Sequence, residues 1–260
     1  MTNLKSGLIA AARKLSRLFG VEIVRYRGNL PGPLPVDFDP AAAATIRRVQ
    51  PYTMTSPERL FSLVDAVRYI SRTGIAGDVV ECGVWRGGSM MATALTLMEC
   101  GDLSRDLFLF DTFEGMAPPT ERDVAIDGQL ASKLLRSHEK TESDSVWCYA
   151  TLDHVRDAMT GTGYRTDAIH YIQGKVEDTI PLQAPSKISL LRLDTDWYES
   201  TRHELEHLFP RLVKGGVLII DDYGHWKGAR EAVDEYLSAN RIKLLLNRID
   251  YTGRIAVKIE

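Results

Sequence analysis

The strongest constraint on this chain is a rhythm. Short, nearly unbroken apolar runs alternate with segments of helical spacing. The runs are "GDVVECG" (77–83), "DLFLFD" (106–111), "IHYIQ" (169–173), "KISLLRLD" (187–194) and "GGVLIID" (215–221). Between them lie helical patterns at about 56–73, 90–99, 149–160, 199–213 and 227–239. The first is well marked: Ser56 stands as N-cap, Pro57 at the first helical position, Leu60, Leu63, Val64, Val67 and Ile70 on one face, and Gly74 closes it. Strands without polar alternation are buried on both faces, so the pattern predicts an α/β fold with a parallel sheet between two helical layers. "IKLLLNRIDYTGRIAVKIE" (242–260) adds two runs near a "YTGR" turn, a strand pair closing the sheet edge with the last strand antiparallel.

The 260 residues suit one large α/β domain or two small ones. A net charge of -3 gives no reason to expect nucleic acid as a partner. Three cysteines without CxxC spacing argue against a disulfide framework and for a reducing cytoplasm. No apolar run reaches the ~18–20 residues of a membrane span, and no signal-peptide core is present. Residues 1–27 differ from the rest. Basic side chains share this stretch with apolar ones at helical spacing. Such a helix can touch an anionic membrane surface, or it can pack on its own domain or a second subunit. A Pro-stiffened linker follows at 29–40. The expected organisation is therefore an N-terminal segment (1–50) and a main domain (51–260), with a long polar, lid-like insertion at about 115–148 that is partly helical near 129–137.

Ligands of open parallel sheets bind beyond the carboxyl ends of the strands. Acidic residues stand at five such ends: Glu81, Asp111, Glu177 with Asp178, Asp194 with Asp196, and Asp221 with Asp222. "ECGVWRGGS" (81–89) has glycines that let a ligand near the backbone, but it departs from GxGxxG. Asp111 suits a ribose diol, while an acidic rim repels pyrophosphate and welcomes a cation. S-adenosylmethionine (SAM), with its sulfonium, ammonium and ribose, fits both conditions. Asp194 and Asp221–Asp222 would converge, which is costly unless a hard divalent cation such as Mg²⁺ compensates. Beside SAM, that ion can hold a substrate diol and lower a hydroxyl pKa. Asp196 would join the ion or take the proton. The plainer alternative is that these acids cap helices and pair with Arg192 and Arg202.

At these residues the chain resembles the macrocin O-methyltransferase family, class I SAM- and Mg²⁺-dependent enzymes that methylate sugar hydroxyls of macrolide and aminocoumarin antibiotics. The resemblance runs through "YTMTSPERL" (52–60), "GDVVECGVWRGGSMM" (77–91), "LFDTFEGM" (109–116), "GYRTDAIHYIQGKVEDTIP" (163–181) and residues 190–236. It implies a seven-stranded Rossmann-like sheet and a homodimer. It implies a SAM site at Glu81, Gly83, Gly87, Gly88, Ser89, Asp111, Thr112, Phe113, Glu177 and Asp178, and a metal site at Asp194, Asp221 and Asp222. Residues 1–50 match least, and they are the part that would set the acceptor.

"HELEH" (203–207) matches HExxH. At about 100° per residue, however, His203 and His207 point away from the apolar stripe of Leu205, Leu208 and Leu212, which argues against zinc. His225 follows the acid pair and can meet the acceptor or assist the base; it can equally be a surface histidine. Trp197 and Trp226 flank the acid pairs, as core aromatics or as platforms for a sugar. The expected function is Mg²⁺-dependent methyl transfer from SAM to a sugar hydroxyl of a small molecule or glycan, with Asp194 or Asp196 as proton acceptor. The alternatives are a catechol-type O-methyltransferase and a SAM-binding protein without turnover.

Overall fold

The structure is a computed structural model that describes residues 34–143 and 145–260. The basic segment 1–27, with its membrane and packing readings, lies outside the described residues. A compact unit runs from Phe38 to Glu260. Its first helix, α1 (Pro40–Val49), falls within the 1–50 segment that was expected to stand apart. That boundary needs correction. Asp39 caps α1 by accepting from the N–H groups of Ala41 and Ala42, and the helix buries Ala42, Ala43, Ile46 and Val49, so it is part of the domain.

The helix α2 (Pro57–Arg72) begins as its sequence predicts. The Ser56 hydroxyl accepts from the Arg59 N–H at 3.2 Å, and Leu60, Leu63, Val64, Val67 and Ile70 are buried. Next come β1 (Asp78–Cys82), α3 (Gly88–Glu99), β2 (Leu107–Asp111), the short α4 (Ala131–Arg136), α5 (Leu152–Thr160), β3 (Ile169–Gln173) and a single turn, α6 (Val176–Thr179). The chain continues through β4 (Ile188–Leu193), α7 (Tyr198–Leu208), β5 (Leu212–Ile220), α8 (Lys227–Ala239), β6 (Asn247–Arg248) and β7 (Arg254–Val257). The sheet order is β3-β2-β1-β4-β5-β7-β6. Strands β1 to β5 are parallel, and β7 lies antiparallel between β5 and β6. This is the predicted seven-stranded class I architecture. One boundary differs from expectation: the helical pattern of 199–213 ends early, and β5 starts at Leu212 instead of Gly215. Leu212 is already paired with Ile188, and a register shift absorbs the extra residues.

Two features of this topology position the site. The chain winds from β1 toward β3 and then reverses toward β5, so the crevice opens where β1 and β4 lie side by side. Strand alternation then sorts the side chains by face. Val80, Cys82, Leu191, Leu193, Leu218 and Ile220 pack with Leu205 and Leu208 of α7 and Val233 of α8. Glu81, Arg192 and Ile219 therefore share the opposite face, with Glu81 in register with Arg192 and Arg192 with Ile219.

Candidate active site

One pocket lies beyond the carboxyl ends of β1, β2, β4 and β5. Its first wall is the glycine-rich turn after β1. Gly83 takes φ +82°, and a Cβ there would collide with the Asp194 carbonyl oxygen, so the turn passes against the loop after β4 with no room for a side chain. Gly87, also left-handed, is the N-cap of α3. The carboxylate of Asp111 crosses from β2 to hold this wall. One oxygen accepts from the N–H groups of Val84 (2.6 Å) and Trp85 (3.0 Å), the other from Phe113 N–H (2.7 Å). Burial pushes Asp111 up and those three donors pull it down.

The opposite wall is the acid cluster. Asp194, Asp221 and Asp222 each present a carboxylate oxygen, all within 4.8 Å of one another. They share the pocket end with Asp196, whose backbone is left-handed at φ 67°. Arg192 lies underneath, 3% exposed. Its Nη1 contacts Glu81 Oε1 and, at 2.7 Å, Asp194 Oδ2; its Nη2 reaches Asp221 Oδ1 at 2.6 Å and donates to Thr55 Oγ1 at 3.1 Å. Arg59, from the first turn of α2, pairs with the other Asp221 oxygen and with Asp250 at 3.0 Å. Asp222 makes no ion pair among the described residues. Around this end five carboxylates (Glu81, Asp194, Asp196, Asp221 and Asp222) face two guanidiniums. The surplus shows in their protonation. Burial first, then the charges of Asp196 and Asp194, push Asp222 well up. Burial and Asp194 bring Asp196 to about 7, against a hydrogen bond with Asp222 that pulls it down. Glu81 rises to about 8 through burial, with Arg192 opposing. Buried carboxylates in excess of their partners are costly, and a hard divalent cation offers the compensation. The donor set fits such an ion.

Of the residues expected at the site, Gly83, Ser89, Asp111, Thr112, Glu177, Asp194, Asp196, Asp221 and Asp222 line the pocket. Gly87, Gly88, Phe113, Asp178 and His225 do not. Gly88 acts through space, since a Cβ there would strike Thr53 and the Tyr52 carbonyl at 2.6 Å. Asp178 is exposed on α6. His225 packs edge-on between Trp226 and Tyr251. Glu81, expected at the rim, is one residue short of the end of β1 and 1% exposed beneath it. The alternative pairing of the acids is met in part: Arg192 does hold them, whereas Arg202 pairs with Glu206 on the surface of α7. Sequence reasoning gave no role to Thr55 or Arg59. A serine–proline helix start carrying an arginine within its first turn was the available signal.

Trp197 and Trp226 are 5% and 6% exposed and meet at 5.0 Å edge to face. They anchor the long insertion. Ala125, Ala131 and Leu135 pack on them, and Trp197 Nε1 donates to the Ala117 carbonyl at 2.9 Å. The insertion is thus a folded layer whose two ends, at Gly115–Ala117 and Cys148, line the pocket. Its helix is shorter than expected, at Ala131–Arg136. In "HELEH" the glutamate points inward: Glu204 is fully buried and accepts from Thr195 Oγ1 at 2.9 Å. His203 bonds the Ile180 carbonyl at 3.0 Å. The glutamate of a zinc hydrolase would have to face its histidines and the solvent.

Sequence and fold point to the same relatives. The Macrocin-O-methyltransferase (TylF) family matches residues 36–257. The chain is similar to the 8-demethyl-8-(2,3-dimethoxy-alpha-L-rhamnosyl)-tetracenomycin-C 4'-O-methyltransferase of Streptomyces olivaceus, 36% identical over 202 residues covering 78% of this chain and 74% of that protein. Mycinamicin III 3''-O-methyltransferase of Micromonospora griseorubida is 32% identical over 202 residues, covering 78% and 76%. Among solved structures, the O-methyltransferase NovP superposes with a TM-score of 0.68 at 28% identity, covering 80% of this chain and 83% of that one.

Proposed function

The chain belongs to the macrocin O-methyltransferase family, and on that premise we propose that it moves a methyl group from SAM to a sugar hydroxyl of a glycosylated small molecule, with Mg²⁺ held by Asp194, Asp221 and Asp222. The observation that carries this reading is the pairing of opposite walls in one pocket. A glycine-rich turn stands on one side and three carboxylates within 4.8 Å of one another on the other. The name of the S. olivaceus relative, an O-methyltransferase of a rhamnosyl-bearing tetracenomycin, supports the acceptor class, and the M. griseorubida relative is likewise named as an O-methyltransferase of a small molecule, mycinamicin III.

Held by these three aspartates, such an ion would supply Lewis acidity, easing loss of the acceptor hydroxyl's proton. The chain's residues do the rest. Gly83 lets the turn lie against the loop that carries Asp194, and Asp111 holds Val84 and Trp85 in that turn, where both line the pocket. Glu177 and the other pocket acids suit a ligand carrying positive charge. Asp194 or Asp196 takes the proton as the acceptor oxygen bonds to the methyl carbon and the carbon–sulfur bond breaks in line. Asp196 stands at the same end of the pocket as those three aspartates, within the reach a general base needs. Met116, Ala117 and Trp197 supply an apolar border that limits water.

Chelation tests this directly. Transfer from SAM to a deoxysugar-bearing acceptor should stop in excess EDTA and return with Mg²⁺. Full turnover in chelator would remove the ion from the reading. Methylation of a catechol but of no sugar would overturn the acceptor class.

A further inference from the structure

Glu81 and Arg192 face one another in register across β1 and β4, on the side of the sheet away from α7 and α8. Glu81 does not line the pocket. Its Oε1 accepts from Arg192 Nη1, and its Oε2 has no hydrogen-bond partner among the described residues. Holding Arg192 is therefore the one polar task its carboxyl performs. Arg192 passes that hold on. The nitrogen bound to Glu81 also contacts Asp194 Oδ2 at 2.7 Å, and the other terminal nitrogen contacts Asp221 Oδ1 at 2.6 Å. A guanidinium is rigid and planar, so fixing one of its terminal nitrogens fixes the direction of the other. We infer that Glu81 is a positioning residue for the cation site instead of a ligand of the methyl donor: it locks the Arg192 fork, and the fork sets the orientation of Asp194 and Asp221. The inference rests on reading those two aspartates, with Asp222, as cation ligands. It needs only that Oε1 accepts a hydrogen bond, which a neutral and an ionised carboxyl both do.

Partners behind metal ligands are worth about 10–100-fold in metal affinity. The test is Mn²⁺ binding to the full chain by electron paramagnetic resonance, alongside SAM binding by calorimetry and thermal melting. Glu81→Met should weaken Mn²⁺ binding by about 10–100-fold and leave SAM affinity unchanged. Glu81→Gln keeps an oxygen acceptor for Arg192 without a charge, and should recover most of the lost affinity. A long-range charge effect would weaken both variants alike, and that result overturns the inference. So does a loss of SAM affinity with native Mn²⁺ binding, which would make Glu81 a cofactor ligand. If Glu81→Met does not fold, the pair is removed together. Glu81→Met with Arg192→Met removes the buried Glu–Arg pair together, so neither member of it is left alone, and should still bind Mn²⁺ weakly. Native-like affinity in that double variant overturns the role of Glu81. A native chain that binds no Mn²⁺ at all is a different result, and it overturns the cation reading on which the inference stands.

Discussion

Asp111, half-buried as the last residue of β2, and Asp222, buried just beyond β5, are both carboxylates at the ends of parallel strands, yet their surroundings differ. Asp111 receives three backbone N–H groups, which work against the upward push of burial. Asp222 has no ion pair among the described residues and lies beside Asp194 and Asp196, whose charges raise its pKa further. The first wall is complete as a piece of protein. The second holds more carboxyl groups than its two arginines can pair. Acids at strand ends can thus serve as scaffold or as ligand, and the partners decide which: dipoles from the chain's own backbone in one case, a missing partner in the other.

Four measurements can break or sharpen that contrast. The largest effect is expected on the incomplete wall. Asp222→Asn should lower kcat/KM by about 10³-fold, roughly 4 kcal/mol of transition-state stabilisation, with SAM binding retained in calorimetry. Near-native turnover would show that Asp222 is a bystander. Next is Asp111→Ala, which strands three N–H groups and should cost about 3 kcal/mol of folding stability in urea titrations. A loss under about 1 kcal/mol would mean that the turn holds without its acid. The third effect has the opposite sign. In chelator, Asp222→Asn should raise stability in urea titrations, because it removes an acid whose burial is unfavourable. Its folded pKa lies above its ordinary value, so at neutral pH the ionised form opposes folding. Destabilisation by Asp222→Asn would place that carboxylate among the completed structure, like Asp111. Smallest is Trp197→Phe. It removes the bond to the Ala117 carbonyl and should cost about 1 kcal/mol while raising protease cleavage within 115–148. Unchanged cleavage would detach the insertion from the acid wall.

Much of the fold was legible because its signals are local. Apolar runs too short for helices gave the parallel strands, and Ser56–Pro57 gave the start of α2 to the residue. The acid cluster was legible for the same reason, since parallel strands must end on one side of the sheet. What escaped depends on register. Glu81 reads as a rim residue until β1 is aligned with β4, when it falls beside Arg192 and below the pocket. Arg59 contacts Asp221 across more than half the chain, and no local pattern announces that. Arg192 did carry a signal, a lone cation inside "LLRLD", but its partners stand on other strands. The early start of β5 and the two-residue β6 are likewise set by pairing and not by propensity.

The antiparallel seat of β7 between β5 and β6 bears on how the protein is made. As the chain emerges during synthesis, β5 and its aspartates appear well before β7, so one side of β5 is an unpaired edge for that interval. The turn leading into β7 supplies Asp250, which holds Arg59, and Thr252, which bonds the Asp221 carbonyl at 2.7 Å. A nascent chain stopped short of this turn would own every acid of the cluster and yet have half of the Asp221 clamp unsupported. Full support of the acid cluster is therefore tied to the late arrival of β7, which makes premature truncation a loss of that support before it is a loss of the sheet.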